Sequence, residues 1–344
     1  SALMGPSVDF LREAGLVASP ETLGVPLTRI RIIDATRRLI RAPETLFEAE
    51  ESGLPAFGWN FPNIKLAEAF EAAREYLGNL ETREAAVVSA EQATTGGWRV
   101  GLADGSTLDA PLLVGADGKK SLIRAAAGIP TREHGFTQSA LVADLELSRG
   151  LEGTSVEFHY PQGPFTLVPA GDNRANLVWI DDEAVLRGAR EGGEEALKQR
   201  LMEKSQRLFG DIRLVSPAFV FPLSTLGVAI AGQNGVVLVG EAAHAFPPIG
   251  AQGLNLGLRD VADLANALTG ADRSTPAWAV TASDSYADRR KDDLLRTGTM
   301  VDGLFRSLLS DLLPAQALRA AGLWTLKLMP PLRRQAIEMG MGAR

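Results

Sequence analysis

Hydrophobic positions along this chain change their spacing several times, and the changes divide it into segments. In the first 130 residues the pattern predicts helices over Val8–Ala14 and Asn63–Leu77, then a ribbon of strands from Ala85 to Leu113. Leu66, Phe70, Ala73 and Leu77 fall on one helical stripe and are expected in a core. Asp104-Gly105, between WRVGL and STLDA, reads as a hairpin turn. From about Gln138 to Phe221 the pattern becomes strand-like. Leu141-Val142, Val156–Phe158, Phe165–Val168 and Asn176–Trp179 alternate with turns such as Pro161–Gly163 and Gly171-Asp172. Glu194–Leu208 is a charged amphipathic helix that should cover the outer face of those strands.

The spacing changes again at Asn234-Gly235. Val236 to Val239 form a continuous apolar run, as expected of a strand covered on both faces. Gly240 closes it, and Glu241 places an acid at its carboxyl end. Pro247, Pro248, Gly250 and Gly253 exclude regular structure up to Leu254. A helical pattern starts at Asn255, with Leu256, Leu258, Val261, Leu264 and Leu268 available for burial. Ligands of open α/β sheets bind outside the carboxyl ends of strands. The loop therefore aims a helix N-terminus, with its unsatisfied N–H groups, at whatever binds there.

Composition narrows the class. A chain of 344 residues accommodates about two domains. With 45% hydrophobic and 22% charged residues it reads as globular, and a net charge of −7 argues against nucleic acid as the principal partner. There is no cysteine, hence no disulfide, thiolate metal site or cysteine nucleophile. His134, His159 and His244 are too scattered to suggest a metal centre. No apolar run approaches the ~20 residues that span a bilayer, and the default location is cytoplasmic.

Gly240, His244, Pro247, Pro248, Gly250, Gly253, Asn255 and Asp260 together carry a resemblance. Their spacing is similar to the second flavin-binding motif of the FAD-dependent aromatic hydroxylases, the para-hydroxybenzoate hydroxylase superfamily. Glu241 departs from that motif, which usually has Asp to hold a ribityl hydroxyl; Glu keeps the acceptor and adds a methylene. LLVGADGKKSLIR (Leu112–Arg124) resembles the superfamily's other internal fingerprint through Asp117, Gly118, Ser121 and Arg124. Gly118 permits a tight strand-to-helix turn, Lys119 and Lys120 are expected in solvent, and Arg124 can reach back to Asp117 or to a phosphate. The block Gly163–Ile180, the helix motif GLNLGLRDVADLANAL and the C-terminal MPPLRRQAIEMG are similar to the ubiquinone-biosynthesis hydroxylases.

The resemblance implies an α/β fold. It has a Rossmann-like FAD/NAD(P)-binding lobe (1–135 and 232–311), an inserted antiparallel β-sheet substrate domain (136–231) and a helical C-terminal segment (312–344). No Gly-x-Gly-x-x-Gly loop occurs in the sequence, which begins with Ser1, so the expectation is a lobe without its first βαβ unit and weak FAD binding. The implied cofactors are FAD and NAD(P)H. The implied substrate is a polyprenylated phenol, whose ring attacks a C4a-hydroperoxyflavin. The implied cofactor-binding residues are Asp117, Gly118, Arg124, Gly240, Glu241, Pro247, Gly250, Gly253, Leu254 and Asn255. Pro248, beside Pro247, forms a stiff wall whose backbone carbonyl can accept a phenol proton; His244 is either a base or a structural hydrogen bond in the turn. Phe158, His159 and Pro164 are the substrate candidates.

Alternatives on the same scaffold are a halogenase, a prenyl reductase, or a protein that has lost FAD and acts through contacts with other proteins. Gly58–Pro62 matches a halogenase motif only faintly and is two residues too short. The stretch 312–344 is basic and apolar: Arg319, Lys327, Arg333, Arg334 and Arg344 stand against one acid, Glu338. It reads as a helical hairpin broken at Pro330-Pro331 and packed on the flavin lobe. It is also a candidate surface for an anionic inner membrane or for other ubiquinone-biosynthesis proteins.

Overall fold

The structure, a computed structural model, describes residues 1–36, 41–94, 96–310 and 313–341. The chain separates into two compact units. The first comprises Ser1–Tyr76, Phe136–Leu223 and Gly303–Arg344; the second comprises Leu77–Gly135 and Ser224–Asp302.

The first unit is built on a sheet. Arg174–Asp182 lies antiparallel to residues 138–146 on one side and to Gly163–Pro169 on the other. Thr154–Tyr160 follows, then Arg29–Asp34, then Thr45–Glu48 at the edge. One face carries Leu141, Leu145, Phe158, Phe165, Leu167, Leu177 and Trp179, all essentially inaccessible. Leu186, Leu197 and Leu201, from helices Glu183–Glu191 and Glu194–Lys204, complete that core. The second helix stops at Lys204, short of the expected Leu208, because Gln206 and Arg207 turn into the left-handed region (φ 53° and 57°).

Three expectations are corrected here. Residues 1–76 belong with this sheet and not with 77–135. The cause is the run Arg29–Asp34, which pairs in parallel with Thr154–Tyr160 and makes the sheet mixed. The helix over Asn63–Arg74 buries only Leu66 of its predicted stripe; Phe70 and Leu77 are exposed, since only its first turn rests on the unit. The C-terminal helices Leu313–Leu328 and Pro330–Gly340 also belong to the first unit. Ile337 and Met341 pack against Phe47, Ala49 and Phe57, and Arg333 donates to the Leu46 carbonyl at 2.6 Å and pairs with Glu51.

The second unit holds a ribbon, Val87–Gln92, Trp98–Leu102 and Thr107–Ala110, and a small three-stranded sheet. In that sheet Val236–Leu238 pairs in parallel with Leu113–Gly115 and antiparallel with Gly232-Gln233. Trp98, Ile123, Ile129, Val236 and Leu238 pack together, and the Trp98 indole donates to the Asn234 carbonyl at 2.9 Å.

Two helices, Gln252–Thr269 and the long helix Trp278–Leu309, meet in this unit through buried ions. Arg290, fully inaccessible, donates to Asp263 at 2.8 Å and Asp293 at 2.7 Å. Its Nε lies 2.7 Å from Asp260 Oδ1, an ion pair whose N–H is not aimed straight at the oxygen. Asp293 is shared with Arg259 at 2.9 Å. Burial alone would raise the Asp293 pKa, but Arg259 and Arg290 outweigh it and hold this carboxyl well below the usual carboxylate range.

A carboxyl whose pKa is depressed in the folded state stabilises it above the unfolded pKa, about 3.9, and loses that stabilisation as pH falls. Unfolding free energy from urea titrations should therefore decline between about pH 5 and pH 2. In Asp293→Asn the decline should be shallower and the neutral-pH stability lower; parallel profiles for the two proteins would contradict the assignment.

Candidate functional site

The pairing of Leu113–Gly115 with Val236–Leu238 sends two fingerprint turns out of adjacent parallel strands at the same end. The Val239 amide donates to the Gly115 carbonyl at 3.0 Å, so the strands stay joined up to the turns. A crevice at the carboxyl ends of parallel strands is where α/β proteins bind ligands.

In the first turn Asp117 accepts from the Ser121 hydroxyl at 2.5 Å and the Ile123 amide at 3.1 Å. The Ser121 hydroxyl caps the short helix Leu122–Ala126 by accepting the Arg124 amide at 2.9 Å. Gly118 has φ +76°, which the turn requires of it. Arg124 departs from expectation. Its guanidinium bonds neither Asp117 nor an open anion site but donates to the Lys119 and Ala242 carbonyls, both at 2.8 Å. It is a clasp between the two fingerprint turns. Lys119, expected in solvent, pairs with Glu133 at 2.6 Å.

The second turn begins at Gly240, with φ +57°, and runs as a short 3₁₀ turn to Ala242. Asp260, fully inaccessible, accepts the Gly240 amide at 2.8 Å and His244 Nε2 at 2.7 Å. His244 is therefore the N–H donor at Nε2, and its ring stacks on Phe246 at 5.8 Å. His244 Nδ1 is buried and has no hydrogen-bond partner among the described residues. The Pro247 carbonyl accepts the Ile249 amide at 2.7 Å, Pro247 is buried and Pro248 is exposed. Gly250 and Ala251 take left-handed angles (φ 63° and 54°) that bring the chain into the helix Gln252–Thr269. Asn255, buried, ties that helix back to the loop through the Ala251 carbonyl at 2.6 Å.

This geometry suits a flavin. Ala251 offers no capping side chain, and the first helical turn carries no acid. A Cβ added at Gly118, Gly240 or Gly253 would meet no atom within 4 Å, so the turns face open space. Glu241 and Leu254 are exposed beside it, and the unpartnered His244 Nδ1 leaves a polar atom for a bound group or its water. Gly257 sits where a Cβ would come 3.6 Å from the Gly240 Cα, which keeps helix and turn close.

The substrate candidates lie in the first unit. Phe158 is corrected: it is fully buried against Phe165 at 5.9 Å in the helix-covered core and presents no accessible surface. His159 is on the opposite face, paired with Glu157 at 2.6 Å and across the strand from Pro164. Gly58–Asn60, the faint halogenase-like segment, is the middle strand of a small sheet. Sequence reading missed Arg290, Tyr286 and Ser283. Their spacing on one face of a long polar helix was the available signal.

The fold and the paired turns define an FAD-binding protein. The FAD binding domain family matches residues 3–292, and the chain belongs to that family. It is 32% identical to the ubiquinone hydroxylase UbiL of Rhodospirillum rubrum, over 92% of this chain and 73% of that protein. It is 28% identical to the 3-demethoxyubiquinol 3-hydroxylase of Escherichia coli, over 86% of this chain and 76% of that protein. Among solved structures, p-nitrophenol 4-monooxygenase PnpA from Pseudomonas putida has the same fold. Its TM-score is 0.78 at 20% identity, covering 100% of this chain and 88% of that one.

Two substitutions should separate holding the cofactor from building its site. Arg124→Ala removes two charge-assisted bonds and should lower the unfolding free energy by about 1.5–3 kcal/mol. Glu241→Ala should leave stability within about 0.5 kcal/mol and weaken FAD about tenfold, the worth of roughly one hydrogen bond. Denaturant unfolding and flavin fluorescence titration check the pair.

Proposed function

We propose that this chain is an FAD- and NAD(P)H-dependent monooxygenase that hydroxylates the ring of a polyprenylated phenol in ubiquinone biosynthesis. The observation that carries this reading is the pair of flavin-type turns held side by side at the ends of adjacent parallel strands. The names of the bacterial relatives support the substrate class. FAD, when bound, supplies the oxygen-transfer chemistry; the protein supplies binding, orientation and charge compensation.

Asp117 orders the first turn, and Glu241 offers an acceptor to a cofactor hydroxyl. The first turn of the helix, which begins at Gln252 and so three residues before the expected Asn255, places amide dipoles where negative charge builds on reduction. Pro247 and Pro248 stiffen the loop. The Pro247 carbonyl already accepts the Ile249 amide, which leaves the Pro248 carbonyl to accept from a phenol hydroxyl. His244 is committed to Asp260 and acts as an anchor, not as a base. His159 and Pro164, with Glu157, keep a substrate-facing role on the second face of the sheet. With FAD and NADH or NADPH, a prenylated phenol should gain one oxygen atom, and under labelled O₂ that atom should carry the label. Oxygen drawn from water, or none gained, would exclude the reading.

A phenol with a polyprenyl tail is dissolved in lipid, so its hydroxylase must meet a membrane. Among the described residues no helix is long and apolar enough to cross one. On the C-terminal helices Leu318 and Leu328 are 75% and 70% exposed, and Trp324, Met329 and Leu332 are also exposed. Exposed Lys327 and Arg334 flank them; Leu312 and Arg344 lie outside the described residues, as do the side chains of Leu313 and Arg319. This face suits an anionic bilayer surface. Arg333 is no test of it, because Glu51 and the Leu46 carbonyl hold it, with its guanidinium 5.4 Å from the centre of the Phe47 ring. The chain should sediment with anionic vesicles at low salt, and Arg334→Glu should weaken that binding without lowering its melting temperature; Lys327, whose ammonium donates to the Glu44 carbonyl at 3.3 Å, is left in place. Sedimentation indifferent to salt and to this change would leave the face without a membrane role.

A further inference from the structure

We propose that Arg290, outside both fingerprints, is a positioning residue for the flavin loop: through Asp260 it fixes the Gly240 amide and the His244 ring. The inference rests on that loop being the flavin motif. Asp260 Oδ2 takes two donors, the Gly240 amide and His244 Nε2, and its other oxygen lies 2.7 Å from Arg290 Nε. All three side chains are almost or completely inaccessible. A carboxylate cannot sit there without a countercharge, and Arg290 is the guanidinium that reaches it.

Arg290 does more than neutralise. Its Nη1 is fixed by Asp263 and Asp293, so the Nε edge that meets Asp260 has one orientation. The same face of the long helix reads the motif from end to end. The Ser283 hydroxyl accepts the Gly235 amide at 3.0 Å where the strand begins. The Tyr286 hydroxyl donates to the Leu238 carbonyl at 2.7 Å where it ends. Arg290 follows at the turn, and Asp293 and Thr297 engage Arg259 on the motif helix. The positions 283, 286, 290, 293 and 297 advance by three or four, one stripe of a helix laid along strand, turn and helix in chain order. A lysine at 290 keeps a charge but has no planar fork with which to hold Asp260 and the other two acids at once.

The test is hydrogen exchange on the full chain without flavin, so it decides the proposal whatever a flavin titration gives. In Arg290→Gln, amides of residues 239–249 should exchange at least tenfold faster, while those of 174–182 stay within twofold. In Arg290→Lys the acceleration at 239–249 should be smaller, about threefold. Leu102→Ala, which opens the buried side of the ribbon in the same unit and leaves Arg290 and its three acids in place, should melt at a lower temperature yet keep 239–249 within twofold. The FAD dissociation constant should rise at least tenfold in Arg290→Gln and change less than twofold in Leu102→Ala. The proposal is overturned if 239–249 exchange as in the native protein in Arg290→Gln, or in Arg290→Lys should the glutamine variant not fold. It is equally overturned if 239–249 and 174–182 loosen together, since Arg290 would then be a general stability residue.

Discussion

One buried carboxylate, that of Asp260, is the constraint on which the second unit depends. It receives a backbone amide from the turn, a ring nitrogen from the loop and a guanidinium from the neighbouring helix. The first two are ordinary hydrogen bonds, and the third is an ion pair whose N–H is not aimed straight at the oxygen. Together they make the position of Gly240 a function of the long helix. Burying such a cluster is costly; replacing a buried ion group with apolar residues often leaves a protein as stable or more so. What apolar residues cannot do is specify a single rotation for a turn. The acids and arginines sit where a backbone must be held to a particular geometry, while the strand beside them, Val236–Leu238, is packed with purely apolar side chains.

The first unit solves a different problem. Its sheet buries one face under two helices and leaves the other in intermediate contact with solvent, with Thr166, Val178 and Val142 partly accessible. Strand alternation separates the two tasks, since neighbouring residues point to opposite faces. Phe158 and His159 are adjacent in sequence, yet one is locked in the core and the other bonds Glu157 on the far side. A one-residue slip of that strand would exchange them and destroy both faces.

The two fingerprint turns were legible because their geometry is local. Glycines at positive φ, a proline pair and an apolar strand act within about 20 residues, and Gly118, Gly240 and Gly250 stand at the angles that the turns require. Long-range partners were not legible. Arg124 looked like a group for Asp117 or a phosphate, because nothing in its own segment announces the Ala242 carbonyl. Phe70 and Leu77 had the right period but no surface to bury against. Residues 29–34, RIRIID, carry a clear two-residue alternation, and reading it would have placed the N-terminal segment in a sheet. Which sheet still required knowing its parallel partner 125 positions away, Thr154 opposite Arg29.

The seat of the C-terminal helix has a consequence for how the molecule is made. Arg333 and the Leu46 carbonyl are 287 positions apart, and Phe47 and Phe57 find part of their cover in Ile337 and Met341. At about 5–20 residues per second, ribosomal synthesis separates these partners by roughly 15–60 s. For that interval the Thr45–Glu48 strand, at the edge of its sheet, lacks the groups that later cover it. A nascent chain therefore passes through a stage with an open, partly apolar sheet edge, and a chaperone able to shield that strand during translation would raise the yield of the folded protein.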